Sequence, residues 1–171
     1  MLAGVSTVVM EYPPEGALPR VSRVDAGTVE LVRSPGVEVI TSADLMQFAT
    51  QRWTREQLEN HRHSADILGR IVNDSFRFIG EHLKEQVTEF RVAEFIRRRF
   101  DDEGMSSPDG PIVATTTHTS DPHYELESED SSVIRQGDWV LIDLWAKPDA
   151  EGSVYADITW VAYVSKSVTE R

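Results

Sequence analysis

The chain has 171 residues, 29 acidic against 17 basic, with no cysteine and a formal net charge of −12. This length suits one domain or one domain plus part of another, and about 70% of the unfolded surface of such a chain can be buried without staples. The acidic balance argues against nucleic acid or an anionic membrane surface as partner, and the missing cysteines exclude disulfides and thiolate metal sites.

No apolar run in the sequence approaches a membrane span, and the first residues (MLAGVSTVVMEYPPEG) lack a basic n-region and a long apolar h-region. A cytoplasmic protein is the expectation. Val5 to Met10 is a β-branched run closed by a Pro-Pro-Glu-Gly turn. Between Ser22 and Arg33 the Ser22…Asp25 spacing resembles a capping signature, and Val24, Thr28, Leu31 and Val32 recur at helical intervals. Val37 to Ile40 reads as a second short strand, and Thr41 as the cap of a short helix carrying Asp44, Leu45, Met46 and Phe48. Residues 1–50 therefore read as strand, helix, strand, helix.

The clearest helix begins at Thr54. Thr54-Arg55-Glu56-Gln57 fits a capping box, with Trp53 and Leu58 placed for a hydrophobic staple. Leu58, Ala65, Leu68, Val72, Phe76, Ile79 and Leu83 then mark one apolar face. A second helix starts at Thr88, with Glu89 in its dipole-favoured first turn and Val92, Phe95, Ile96 and Phe100 on one side. Arg97, Arg98 and Arg99 read as a solvated helix end. Asp101 to Gly110 reads as a polar loop, Pro111 to Thr117 as a strand, and His118 to Ser132 as a long polar connection. Ile134 to Ile142 and Val154 to Tyr163 complete the strand pattern.

Two carboxylates stand out. Asp143 directly follows Trp139-Val140-Leu141-Ile142 within the same β-rich run, and Asp157 lies between Val154-Tyr155-Ala156 and Ile158-Thr159-Trp160, with a turn cluster between them. An acid among apolar strand residues is costly to bury unpaired, and two on adjacent strands repel each other. Two readings are open: each acid faces solvent on the polar side of its strand, or a hard divalent cation draws the pair together. Of the five histidines, His61 and His63 are too close in sequence to share a helix face, and they read with His82 as surface residues. His123 follows a proline in a loop between strands, where either a functional or an ordinary loop histidine fits. No nucleotide-binding, serine-hydrolase or HExxH pattern is present.

The segments PIVATTTHTSDPHYEL (111–126), IRQGDWVLIDLWAK (134–147) and VYADITW (154–160), with the helices that begin near Thr54 and Thr88, resemble the creatinase/methionine-aminopeptidase family of "pita-bread" metallohydrolases. The nearest branch is the Xaa-Pro peptidases, prolidase and aminopeptidase P-like. The resemblance implies an α+β fold, with 53–171 as the first half of a pita-bread catalytic domain and 1–52 as the remnant of a small α/β N-terminal domain. It also implies two divalent metal ions (Mn²⁺, Co²⁺ or Zn²⁺) held by two Asp, one His and two Glu. Asp143 and Asp157 match the two Asp, the second bridging the metals, and His123 matches a substrate-side histidine. Trp160 stands where many relatives carry Arg, and Thr115 to His118 replaces a stretch often containing Gly and Asn.

The implied substrate is a peptide with proline at its second position, and a homodimer is the implied assembly. With only two of the five ligands in hand, the expectation is a fragment inactive on its own. Two alternatives remain: a non-catalytic pita-bread interaction module, and a creatinase-type C–N hydrolase.

Overall fold

The computed structural model describes residues 4–17, 22–121, 124–128 and 131–167. It divides into two compact units, Met1–Trp53 and Thr54–Arg171. The first unit is the expected strand–helix–strand–helix. β1 (Thr7–Met10) pairs parallel with β2 (Glu38–Thr41), joined through α1 (Ala26–Arg33) and followed by α2 (Ala43–Thr50). Asp25, not Ser22, caps α1: its carboxylate accepts from the Thr28 N–H at 3.0 Å and the Thr28 hydroxyl at 2.6 Å. A carboxylate at that position also meets the positive end of the helix dipole. Ser42 is the N-cap residue of α2, while the Thr41 hydroxyl accepts from Ala43 N–H at 3.1 Å just ahead of it.

The second unit is a helix layer on an antiparallel sheet. α3 (Arg55–His82) runs unbroken for 28 residues through Gly69 and Gly80. Its capping box forms in both directions, Gln57 N–H to the Thr54 hydroxyl at 3.1 Å and Thr54 N–H to the Gln57 side chain at 2.9 Å. Ile67, Leu68, Ile71, Val72 and Ile79 form the buried stripe, and Leu58 lies outside it, 38% exposed. After a left-handed Gln86 (φ 56°), Thr88 caps α4 (Glu89–Asp102). α4 packs Val92, Ala93, Ile96 and Phe100 inward, and Phe95 stacks on Phe78 of α3 at 4.6 Å.

Arg99 departs from the solvated helix end expected of the basic triplet. It is about three-quarters buried and ion-pairs with Asp74 of α3, whose carboxyl it holds below the ordinary value. His61 is likewise more than a surface residue, since its Nδ1 lies 2.8 Å from the Tyr155 carbonyl. His82 Nδ1 lies 2.8 Å from the Phe78 carbonyl on its own helix.

The sheet is built around β5 (Trp139–Pro148), which pairs antiparallel with β3 (Met105–Ser106), β4 (Ile112–Thr115) and β6 (Ala156–Tyr163). β3 lies within the span expected to be loop. The strand expected over 111–117 stops at Thr115, where the chain turns into a 3-10 segment, Thr116–Ser120. Along β5 the side chains alternate: Val140, Ile142, Leu144 and Ala146 are buried, while Trp139, Leu141, Asp143 and Trp145 occupy the opposite, more open face. A period of two is what a sheet covered on one side produces. Each fully buried aliphatic side chain contributes about 2 kcal/mol, so the helix-facing set holds the layers together.

Candidate functional site

Asp143 belongs to the open face because its neighbours Ile142 and Leu144 must face the helices. In the register, Asp143 opposes Ile112 on β4 and Thr159 on β6, while Asp157 opposes Trp145. Asp143 and Asp157 are thus diagonal neighbours on one face of a paired ladder, a separation over which side chains interact. The Thr159 hydroxyl donates to Asp143 Oδ1 at 2.6 Å. The Asp157 carboxyl is pushed above its ordinary value, first by loss of hydration and then by the charge of Asp143. Asp157 is nonetheless exposed as a residue.

Two carboxylates on one sheet face are the donor chemistry of a hard divalent cation. Among the described residues no group of three or more His, Asp or Glu side chains converges on such an ion. The two acids therefore fit as part of a metal centre and not as a whole one. His123 lies outside the described residues.

Beside Asp143 is a cleft of about 180 Å³, lined among others by Ile112, His118, Tyr124, Leu141, Asp143 and Thr159. Its wall is organised by Glu89, which the sequence suggested only as a dipole-favoured first-turn residue. Glu89 is completely buried. Its Oε1 accepts from Thr115 N–H at 2.7 Å, and its Oε2 accepts from the Tyr124 hydroxyl and Ser132 N–H, each at 2.8 Å. His118 Nδ1 lies 3.0 and 3.1 Å from the two oxygens. The His118 ring also stacks on Tyr124 with centroids 4.3 Å apart.

A buried carboxylate is tolerable only with this many donors, and the amino end of α4 adds its dipole. The same helix start holds the returning chain: Glu89 N–H donates to the Ser132 carbonyl at 3.1 Å, Ile134 N–H to the Val87 carbonyl at 2.9 Å, and Phe90 N–H to the Ser131 hydroxyl at 2.8 Å. Glu89 thus ties the end of β4, the turn after it and the approach to β5 to one point. The one sequence signal for this node was a Thr-Glu helix start in a chain whose long polar connection needed anchoring.

The match to known proteins agrees with this architecture. The helix-backed antiparallel sheet is the first half of a pita-bread α+β fold. The chain belongs to metallopeptidase family M24, whose sequence model matches residues 59–171. Among solved structures it is similar to an X-Pro aminopeptidase from Thermotoga maritima MSB8, at 19% identity and a TM-score of 0.58, covering 95% of this chain and 42% of that one. It is similar also to the prolidase from Pyrococcus furiosus, at 21% identity and a TM-score of 0.56, covering 96% and 43%. A variant of Escherichia coli aminopeptidase P in complex with substrate matches at 19% identity and a TM-score of 0.56, covering 98% and 37%. The chain spans less than half the length of each of these proteins. No curated protein matches the sequence significantly. No helix among the described residues is long and apolar enough to cross a membrane.

Proposed function

We propose that this chain carries part of the dinuclear centre of an Xaa-Pro peptidase, with Asp143 and Asp157 as two of its metal ligands. The observation that carries the reading is the placement of both acids on one open sheet face, with the charge of Asp143 acting on Asp157. The family match and the prolidase-like fold support the same reaction class, hydrolysis of the bond before a proline at position two. Bound divalent cations would polarise the scissile carbonyl and activate water.

The chain's own residues have the other tasks. Asp143 is oriented by Thr159, so its free oxygen is aimed by a fixed hydrogen bond. Asp157 would be the second ligand, and a bound cation would relieve its repulsion from Asp143. His123 is proposed to contact the substrate from the adjoining loop. Residues 1–52 are proposed as the remnant of an N-terminal domain. Mn²⁺, Co²⁺ or Zn²⁺ as the metal, a cytoplasmic location and a homodimer complete the reading.

Two carboxylates leave a divalent ion mostly hydrated, so these 171 residues are expected to bind Mn²⁺ weakly and to leave Xaa-Pro dipeptides intact. Calorimetric titration with Mn²⁺ tests this. Weak binding abolished by Asp143→Asn or Asp157→Asn is expected. Binding that both variants retain overturns the ligand assignment, and robust cleavage of alanyl-proline overturns the expectation of inactivity. A peptide-binding module without catalysis is the second reading, favoured by the exposed Trp139 (52%) and Val161 (55%). It predicts peptide binding with no metal uptake at all.

A further inference from the structure

We propose that His118 is a ligand-contacting residue of the cleft beside Asp143, locked by Glu89 so that it presents Nε2 as a hydrogen-bond acceptor to an N–H of the terminal amino group of a bound peptide. The peptide class rests on the reading above, whereas the state of the ring rests on this geometry alone.

Glu89 does not need His118. Two backbone N–H groups and a phenol already donate to its two oxygens. An imidazole added to a satisfied carboxylate serves the imidazole, whose position and tautomer it fixes. Since Glu89 accepts from every other neighbour, the nitrogen facing it carries a proton, and in the neutral ring that leaves Nε2 as the acceptor. With Nδ1 turned toward a fully buried carboxylate and one ring face covered by Tyr124, the remaining edge of the ring is the one that lines the cleft.

The backbone supports the same conclusion. Thr116 adopts φ 52°, a left-handed conformation costly for a β-branched residue, at the point where the chain leaves β4 for the turn that carries His118. A turn built only to connect strands would not need that strain. The cleft offers acceptors, the Asp143 carboxylate and Nε2, within about 180 Å³. That volume suits one end of a short peptide and its N–H donors rather than a large side chain.

The test is nitrogen NMR of the histidine-labelled full chain in EDTA, with alanyl-proline as probe. The expected result is an Nδ1–H tautomer for His118 and a shift of its Nε2 resonance as the dipeptide is added. His118→Phe keeps the ring stack on Tyr124 and leaves Glu89 its other three donors. It is expected to fold and to bind the dipeptide about fivefold to tenfold more weakly. An Nε2–H tautomer, an unmoved Nε2 resonance, or undiminished affinity in His118→Phe overturns the assignment. Because the titration is metal-free, it is separable from the metal reading. A chain that binds Mn²⁺ while Nε2 ignores the peptide refutes the His118 role alone, and the reverse pattern refutes the metal site alone.

Discussion

The carboxyl of Asp157 lies one diagonal step from that of Asp143 on paired strands, so ionising both puts two like charges on one sheet face. Loss of hydration first, and then the charge of Asp143, make the folded chain hold the Asp157 proton more tightly than the unfolded chain, whose value is near 3.8. Below that ordinary value both states are protonated and nothing is lost. As pH rises through the raised folded value the native state alone resists ionisation, and stability falls and then levels off. Asp157→Asn removes the effect. In metal-free buffer at pH 7 it is expected to stabilise the chain, and at about pH 3 it is expected to make no difference. Because Asp157 is exposed, the gain is on the order of a few tenths of a kcal/mol. Thermal melts at the two pH values check it, and a destabilised Asp157→Asn at pH 7 would show that the acid makes a favourable contact.

Asp143 and Asp157 were legible in the sequence because period-two burial makes any acid inside a β-branched run conspicuous. Glu89 was not. A Glu at the first turn of a helix has a sufficient local explanation, and its burial arises from Thr115, His118, Tyr124 and Ser132, which lie 26 to 43 residues away. His118 was hidden for the same reason, since nothing local distinguishes it from the other histidines.

At the scale of elements, α3 does more than cover the sheet. Its first two turns hold the hairpin that joins β5 to β6. Asn60 Oδ1 accepts from Val154 N–H at 3.0 Å, and His61 reaches the Tyr155 carbonyl. These contacts fix the hairpin from which Asp157 follows two residues later. The capping box at Thr54 stabilises the same end of the helix by a separate pair of bonds. Thr54→Ala and Asn60→Ala are each expected to cost about 1 kcal/mol, the first by loss of a cap and the second by leaving a half-buried amide without its acceptor. Six residues of helix separate the sites by about 9 Å, and they share no bonding partner, so the double variant is expected to lose the sum. Urea denaturation of the three variants measures this, and a double variant no worse than either single one would mean that the helix start and the hairpin unfold together. The capping box was legible because its two partners are three residues apart. The hairpin clamp spans 94 residues, and no local pattern encodes it.

The molecule as a whole has one large core and one small one. The main cluster of buried apolar side chains runs from Ile67 to Ala156 and takes no member from the first unit. Among the described residues of the first unit the buried apolar side chains are Val29, Val37 and Val39, while Leu31 (72%), Leu45 (61%) and Phe48 (65%) are exposed. Pieces of this size are marginal alone without disulfides or metals, and the chain has no cysteine to supply the former. The two units are therefore expected to differ sharply in stability. In native-state hydrogen exchange, the amides of β1 and β2 should exchange through openings of low free energy, while those of Ile67, Leu68, Ile142 and Leu144 should exchange only on unfolding of the second unit. A chain of residues 54–171 should keep the melting temperature of that unit within a few degrees, because every residue of its core cluster is retained. Loss of a cooperative transition on removing residues 1–53 would instead mean that the first unit stabilises the second, and protection at Val39 equal to that at Ile142 would mean that the chain unfolds as one body.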